Sequence, residues 1–261
     1  MLNHADLEAT AARLRAAYTD GPVAPLRDLL EPADVDSAYG IQSLNTQHWL
    51  RQGRVIGGWK VGLTAKAVQQ QMGVDHPDFG VLYADRQLPD GGELDLAPLF
   101  APRGEAEIAL VLSDDVTEPG LTAATVAQHI AYASPAIELV DSRIKDWRIT
   151  FADTVADNGS ASGYVLGAAK VSLDTLDLYA CGMVLEEDGA VVSVGAGAAS
   201  MGHPLNAAAW LANALLERGQ KLQAGQVILT GALGPMVNLR PGQHLKATIG
   251  GLGAVSMRSA G

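Results

Sequence analysis

From Val55 to Gly261 the apolar residues come in short runs separated by clusters of Gly, Pro and Asp. This texture constrains the fold more than any other feature. Runs of that length suit strands joined by turns and are too short for amphipathic core helices. Candidate strands cover residues 56–62, 105–112, 135–140, 164–167, 183–186, 191–194, 227–230, 244–249 and 252–257. Gly250-Gly251 reads as a hairpin turn between the last two. Two helices interrupt the region. One spans about 123–133 behind a Thr122 cap; the other spans about 205–218, between Pro204 and Gly219. Strands that do not alternate regularly with helices argue against a doubly wound parallel sheet.

Ahead of this region the chain is helical. Leu7, Ala11, Leu14 and Tyr18 form one stripe of a 3.6-residue period, which Gly21-Pro22 ends. A second helix is expected over about 33–52, with Gly53 just past it. The expected organisation is a helical region at 1–54 followed by a mixed β catalytic region at 55–261, the two forming one α+β unit.

Composition narrows the function classes. With 18 Lys+Arg against 29 Asp+Glu the net charge is −11. That speaks against a nucleic-acid binder and against an anionic membrane surface as partner. The one cysteine, Cys181, allows neither an intrachain disulfide nor a Cys-based zinc site. No apolar run is long enough for a transmembrane helix, and residues 1–21 do not read as a signal peptide, so the expected address is cytoplasmic.

The chemistry concentrates in acidic residues set among apolar ones. In the strand 105–112, Ala106, Ile108, Leu110 and Leu112 line one face, and Glu105, Glu107, Ala109 and Val111 the other. Two carboxylates about 7 Å apart at the start of an apolar strand repel one another and resist desolvation. A cation removes both problems; a solvated strand end is the competing explanation. Glu138, flanked by Ile137 and Leu139, sits inside another apolar run. A buried Glu needs an ion-pair partner, with Arg143 and Lys145 as candidates, or a metal. Three glutamates without a His or Cys cluster suit a hard cation such as Mg²⁺ or Mn²⁺ better than Zn²⁺.

Lys60 stands alone in the Gly-rich run Gly57-Gly58-Trp59-Lys60-Val61-Gly62. It is either a buried acid, base or charge clamp or a snorkelling surface lysine. Asp78, in His76-Pro77-Asp78-Phe79-Gly80, fits a turn as well as a catalytic role. Residues 153–160 form a polar segment that either presents Asn158 and Ser160 to a ligand or merely connects. Gly195-Ala196-Gly197 lacks the dinucleotide pattern, and His203 before Pro204 reads as a helix-start residue rather than a ligand.

Several stretches occur together in a recognisable order. They are Trp59-Lys60-Val61-Gly62-Leu63-Thr64, the run from Gln69 to Gly80, Glu105-x-Glu107, Pro135-Ala136-Ile137-Glu138 and the run from Asp153 to Asn158. With them the chain resembles the hydratase/decarboxylase family of catechol meta-cleavage pathways, within the fumarylacetoacetate hydrolase superfamily. The run from Gly202 to Ala208 and that from Ile228 to Met236 look like its hydratase branch. The resemblance implies a mixed β-roll or barrel core with an N-terminal helical region, assembled into homo-oligomers. It implies Mg²⁺ or Mn²⁺ on Glu105, Glu107 and Glu138, and Lys60 as proton shuttle or enolate stabiliser. Asp78 becomes the general base for water, with Ser160 and Asn158 binding substrate. The implied reaction is hydration of 2-hydroxypenta-2,4-dienoate to 4-hydroxy-2-oxopentanoate. Alternatives are decarboxylation of 2-oxo-3-hexenedioate, hydration of a longer 2-oxo-enedioate, and a non-catalytic subunit docked to pathway enzymes.

Overall fold

A computed structural model describes residues 2–261. Two helices, α1 (His4–Asp20) and α2 (Val35–Arg51), precede the first strand, capped by the side chains of Asn3 and Asp34. The strands are β1 (Ile56–Gly62), β2 (Asp78–Tyr83), β3 (Gln87–Leu88), β4 (Gly92–Leu94), β5 (Arg103–Leu112), β6 (Ile130–Val140), β7 (Ala161–Leu166), β8 (Gly182–Glu187), β9 (Ala190–Ala196), β10 (Val227–Leu229), β11 (Val237–Asn238), β12 (His244–Ile249) and β13 (Gly253–Ser259). Four further helices are α3 (Lys66–Met72), α4 (Ala123–Val126), α5 (Phe151–Ala156) and α6 (Pro204–Glu217). None of the described helices is long and apolar enough to cross a membrane.

The strands form two mixed sheets. The larger runs β2-β1-β10-β5-β6-β7-β3, with β11 added beside β5; the smaller runs β4-β13-β12-β8-β9. Most pairs are antiparallel; β1–β10, β3–β7 and β4–β13 are parallel. The larger sheet curls until β2 touches β7 at the far side.

Alternation along β5 decides what each face does. Ala106, Ile108, Leu110 and Leu112 join the main core with Ile137, Val165 and Ile228 of neighbouring strands, with α-helical residues such as Leu211, and with Leu245 and Val255 of the smaller sheet. The concave face carries a separate small cluster that includes Leu82, Ala109, Val111, Ala136, Tyr164 and Leu229. Burying one continuous apolar face against helices and a second sheet is the main stabilisation, on the order of 25 cal/mol per Å² of apolar surface. The inner face is then left for polar work.

Local expectations fail at specific places. Asp78 is not in a turn: it opens β2 opposite Gly62, and β2 is hydrogen-bonded along β1. Pro77 is tolerated there because it precedes the first paired residue. The helix expected over 123–133 stops at Val126, continues as one 3₁₀ turn, and gives way to β6 at Ile130. Pairing along the length of β5 outweighs the helix propensity of those residues. Residues 153–156, the first part of the segment read as presenting ligand groups or merely connecting, belong to α5, which starts behind a Thr150–Asp153 capping box. His203 is the N-cap of α6, its Nδ1 accepting from the Leu205 N–H at 3.1 Å.

Candidate functional site

Register assembles the carboxylates. Glu105 lies directly opposite Glu138 across the β5–β6 ladder, and Glu107 follows two residues on, on the same face. One oxygen from each of the three lies within 4.8 Å of the others. Glu138 is fully buried, Glu107 is 1% exposed and Glu105 9%. Solvation at a strand end is therefore not what stabilises these charges.

Lys60 reaches the same cluster from β1. Between β1 and β6 stand β10 and β5, so on a flat sheet the roots of the two side chains would be about 14 Å apart. The curl tips them together: Lys60 Nζ is 3.3 Å from Glu138 Oε1. Lys60 is thus the partner of Glu138, and Arg143, one of the two candidates suggested by sequence, is engaged with Asp157. Lys60 Nζ also donates to the Gly159 carbonyl at 3.0 Å. Burial disfavours its charge, but Glu138, Asp78 and Glu105 outweigh burial and hold it above its usual pKa.

Asp78 completes the constellation from β2, 2% exposed, with Oδ1 lacking any hydrogen-bond partner. Burial raises its pKa, and Lys60 opposes that rise. Its approach depends on Gly62, where a Cβ would lie 2.1 Å from Asp78 Oδ1.

The segment after α5 packs into the seam between β2 and β7. Asn158, Gly159 and Ser160 all have positive φ, between 57° and 59°. Their closeness requires Gly80, where a Cβ would come 2.2 Å from the Asn158 carbonyl. The Val81 N–H donates to Asn158 Oδ1 at 2.7 Å, and Asn158 Nδ2 donates to the Val81 carbonyl at 2.9 Å. The Asn158 amide thus serves the edge of β2 as a neighbouring strand would, with one Nδ2 hydrogen and one Oδ1 lone pair committed to it. Ser160 is 2% exposed, its Oγ 3.4 Å from Thr154 Oγ1. Gln42 of α2 braces the same region, donating to the carbonyls of Phe79 and Val155, both at 2.9 Å.

The acceptor inventory tests the fit to a cation. Glu107 Oε1 and Glu138 Oε2 are buried without a hydrogen bond, and Glu138 Oε1 meets the Lys60 ammonium at 3.3 Å. Glu107 Oε2 accepts from the Gly231 N–H at 2.8 Å. Burial and mutual repulsion push Glu107 well above the ordinary carboxylate range. Burial first, then Glu105, lifts Glu138 to about 7 in spite of Lys60. Buried acceptors without donors are what a divalent cation satisfies, and an all-oxygen set suits a hard one.

The sequence reading missed two contributors. The Gly231 N–H braces Glu107. The buried Arg143–Asp157 pair, with Nε to Oδ1 at 2.6 Å, adjoins the 158–160 turn. No local signal marks it, because charged residues in polar stretches read as surface.

Comparison with known proteins gives the site its relatives. Residues 61–258 match the model of the fumarylacetoacetate (FAA) hydrolase C-terminal family. The chain is 51% identical to "2-keto-4-pentenoate hydratase 2" of Dechloromonas aromatica (strain RCB) over 250 residues, 95% of each protein. It is 51% identical to "2-keto-4-pentenoate hydratase" of Burkholderia vietnamiensis (strain G4 / LMG 22486) over 246 residues, 94% of each. Among solved structures it resembles 4-oxalocrotonate decarboxylase from Pseudomonas putida G7, complexed with magnesium and adipate. That match has a TM-score of 0.93 at 34% identity and covers 99% of both chains. With a family model spanning most of its length and relatives matched nearly end to end, the chain belongs to the fumarylacetoacetate hydrolase family.

Proposed function

We propose that the chain is a hydro-lyase that adds water to 2-keto-4-pentenoate, in its 2-hydroxypenta-2,4-dienoate form, to give 4-hydroxy-2-oxopentanoate. One observation carries the reading: three convergent buried carboxylates face a buried lysine in a chain half identical, end to end, to proteins named for that reaction. Identity to the solved decarboxylase is lower, 34%.

Glu105, Glu107 and Glu138 would hold Mg²⁺ or Mn²⁺. When bound, the cation supplies Lewis-acid polarisation of the substrate's carboxylate and 2-oxygen. That charge also explains how an acidic site accepts an acidic substrate.

The chain's own groups move the protons. Lys60, held as an ammonium, delivers a proton to C5 and recovers the one the 2-hydroxyl releases, giving a conjugated 2-oxo-3-enoate. Water then adds its oxygen at C4. Asp78 takes the proton that this water releases and passes it to C3, so both groups end the cycle as they began. The absence of a donor on Asp78 Oδ1 supports a base role, since the oxygen is free to accept. Ser160 offers its hydroxyl to the substrate carboxylate, and Asn158 keeps that turn against β2.

The test is ultraviolet turnover of freshly generated 2-hydroxypenta-2,4-dienoate with Mg²⁺ or Mn²⁺, then with excess EDTA. Metal-dependent loss of dienol absorbance with 4-hydroxy-2-oxopentanoate as product is the expected outcome. No turnover with metal, together with CO₂ release from 2-oxo-3-hexenedioate, would replace hydration by decarboxylation.

A further inference from the structure

We propose that the buried Arg143–Asp157 pair is a positioning device for the reaction. It holds residues 158–160 in the conformation that fixes the ammonium of Lys60. The inference rests on the proton-transfer role of Lys60 given above, and it assigns work to two charged residues that the chemistry itself does not use.

The guanidinium brackets the turn. Arg143 Nε donates to Asp157 Oδ1 at 2.6 Å and Nη2 to the Asp157 carbonyl at 2.5 Å. Its Nη1 donates to the Asp141 carbonyl at 2.6 Å and to the Ala161 carbonyl at 3.1 Å. Residues 157 and 161 are the two flanks of the turn, so one rigid planar group ties both of its ends. Asp157 Oδ2 in turn accepts from the Arg143 N–H at 2.9 Å and from Ser142 Oγ at 3.1 Å.

The turn requires such a tie. Asn158, Gly159 and Ser160 are consecutive left-handed residues, and two of them carry a Cβ that opposes this conformation. A strained backbone of this kind persists only where its surroundings over-determine it. The far side of the turn shows what the strain achieves. The Gly159 carbonyl accepts from Lys60 Nζ at 3.0 Å, while Glu138 Oε1 lies 3.3 Å from the same nitrogen. Lysine has a flexible four-carbon stem and three donors. With two directions occupied, the third is oriented.

Stability alone does not account for the pair, since a buried ion pair is commonly no better than apolar packing of the same volume. Arginine offers a fixed fork of donors, which is a positional asset.

The experiment uses the full chain with Arg143→Lys and Asp157→Asn. Mn²⁺ binding read by electron paramagnetic resonance counts the folded sites, because the three glutamates stand on β5 and β6 rather than on the turn. The expected result is a kcat per Mn²⁺-binding site lowered by about tenfold to a hundredfold, with Mn²⁺ affinity unchanged. Arg143 also lines a surface recess of about 120 Å³ with Tyr18 and Arg54. In Arg143→Ala, millimolar guanidinium therefore restores turnover and ammonium does not. If Arg143→Ala does not fold, the two conservative variants decide. A kcat per site within about twofold of wild type in both overturns the proposal, as does a loss that only follows the number of sites. A wild-type chain that fails to hydrate the dienoate removes the hydratase reading instead. Hydrogen exchange across 157–161 then still reads the tie, and unchanged protection in both variants overturns it.

Discussion

Two buried ionic clusters lie on opposite sides of one strained turn, and they are built on opposite rules. Around Arg143 every charge is answered. Asp157 holds the guanidinium charged against its burial, and each nitrogen donates within hydrogen-bond distance. Around Lys60 four carboxylates, those of Glu105, Glu107, Glu138 and Asp78, surround a single cation, and several of their oxygens have no donor. A saturated network fixes geometry; an unsaturated one is poised for a ligand. The difference separates scaffold from site without reference to any relative.

Substitutions can break this contrast in graded ways. The largest effect is expected from Glu107→Gln, which removes a charge from the cation site. Metal-dependent turnover should fall on the order of 10⁴-fold, and calorimetric titration with Mg²⁺ should lose its heat. Intact Mg²⁺ binding in that variant would remove Glu107 from the ligand set. Next, Lys60→Met should lower kcat on the order of 10³-fold in steady-state assays while Mg²⁺ still binds. Full turnover by Lys60→Met would end its proton-transfer role.

A third substitution tests the seam. Gly80→Ala places a methyl against the Asn158 carbonyl, so chemical denaturation should show a loss of about 3 kcal/mol. An unperturbed midpoint would mean that the turn moves aside freely.

The smallest effect is a pH dependence confined to the metal-free protein. Burial, with Glu105 next, raises the folded-state pKa of Glu138 to about 7, above the unfolded carboxylate value. The folded state therefore holds its proton more tightly. The stabilisation is complete below the unfolded pKa and is lost as pH rises through about 7. In EDTA the melting temperature should fall by about 5 °C between pH 5.5 and 8, relative to the Mg²⁺-loaded protein, in which the decline should be absent. Parallel curves with and without metal would show that the carboxylates are not relieved by the ion.

Much of this was legible in the chain, for physical reasons that differ by residue. Period-two alternation placed Glu105 and Glu107 on one face of β5, because a strand admits no other arrangement. Glu138 stood out because ionised groups are rare among Ile and Leu in a buried run. What joined the two strands was register, Glu105 against Glu138, which no local pattern encodes. Asp78 was ambiguous because Pro, Asp and Gly favour turns, and only hydrogen bonding to β1 overrides that preference. Arg143 stood out only as a candidate partner for Glu138; its pairing with Asp157 arises only when the chain after β6 and the segment after α5 meet.

The provenance of the site residues has a consequence for how such an enzyme diversifies. The three glutamates come from adjacent strands within residues 103–140, whereas Lys60, Asp78 and Ser160 come from β1, β2 and the turn across the curl. Under the proposed roles, ion affinity and reaction outcome sit on separable stretches of gene. Mutation can retune one while selection preserves the other, and a hydration scaffold can drift toward a neighbouring reaction without first losing its three glutamates.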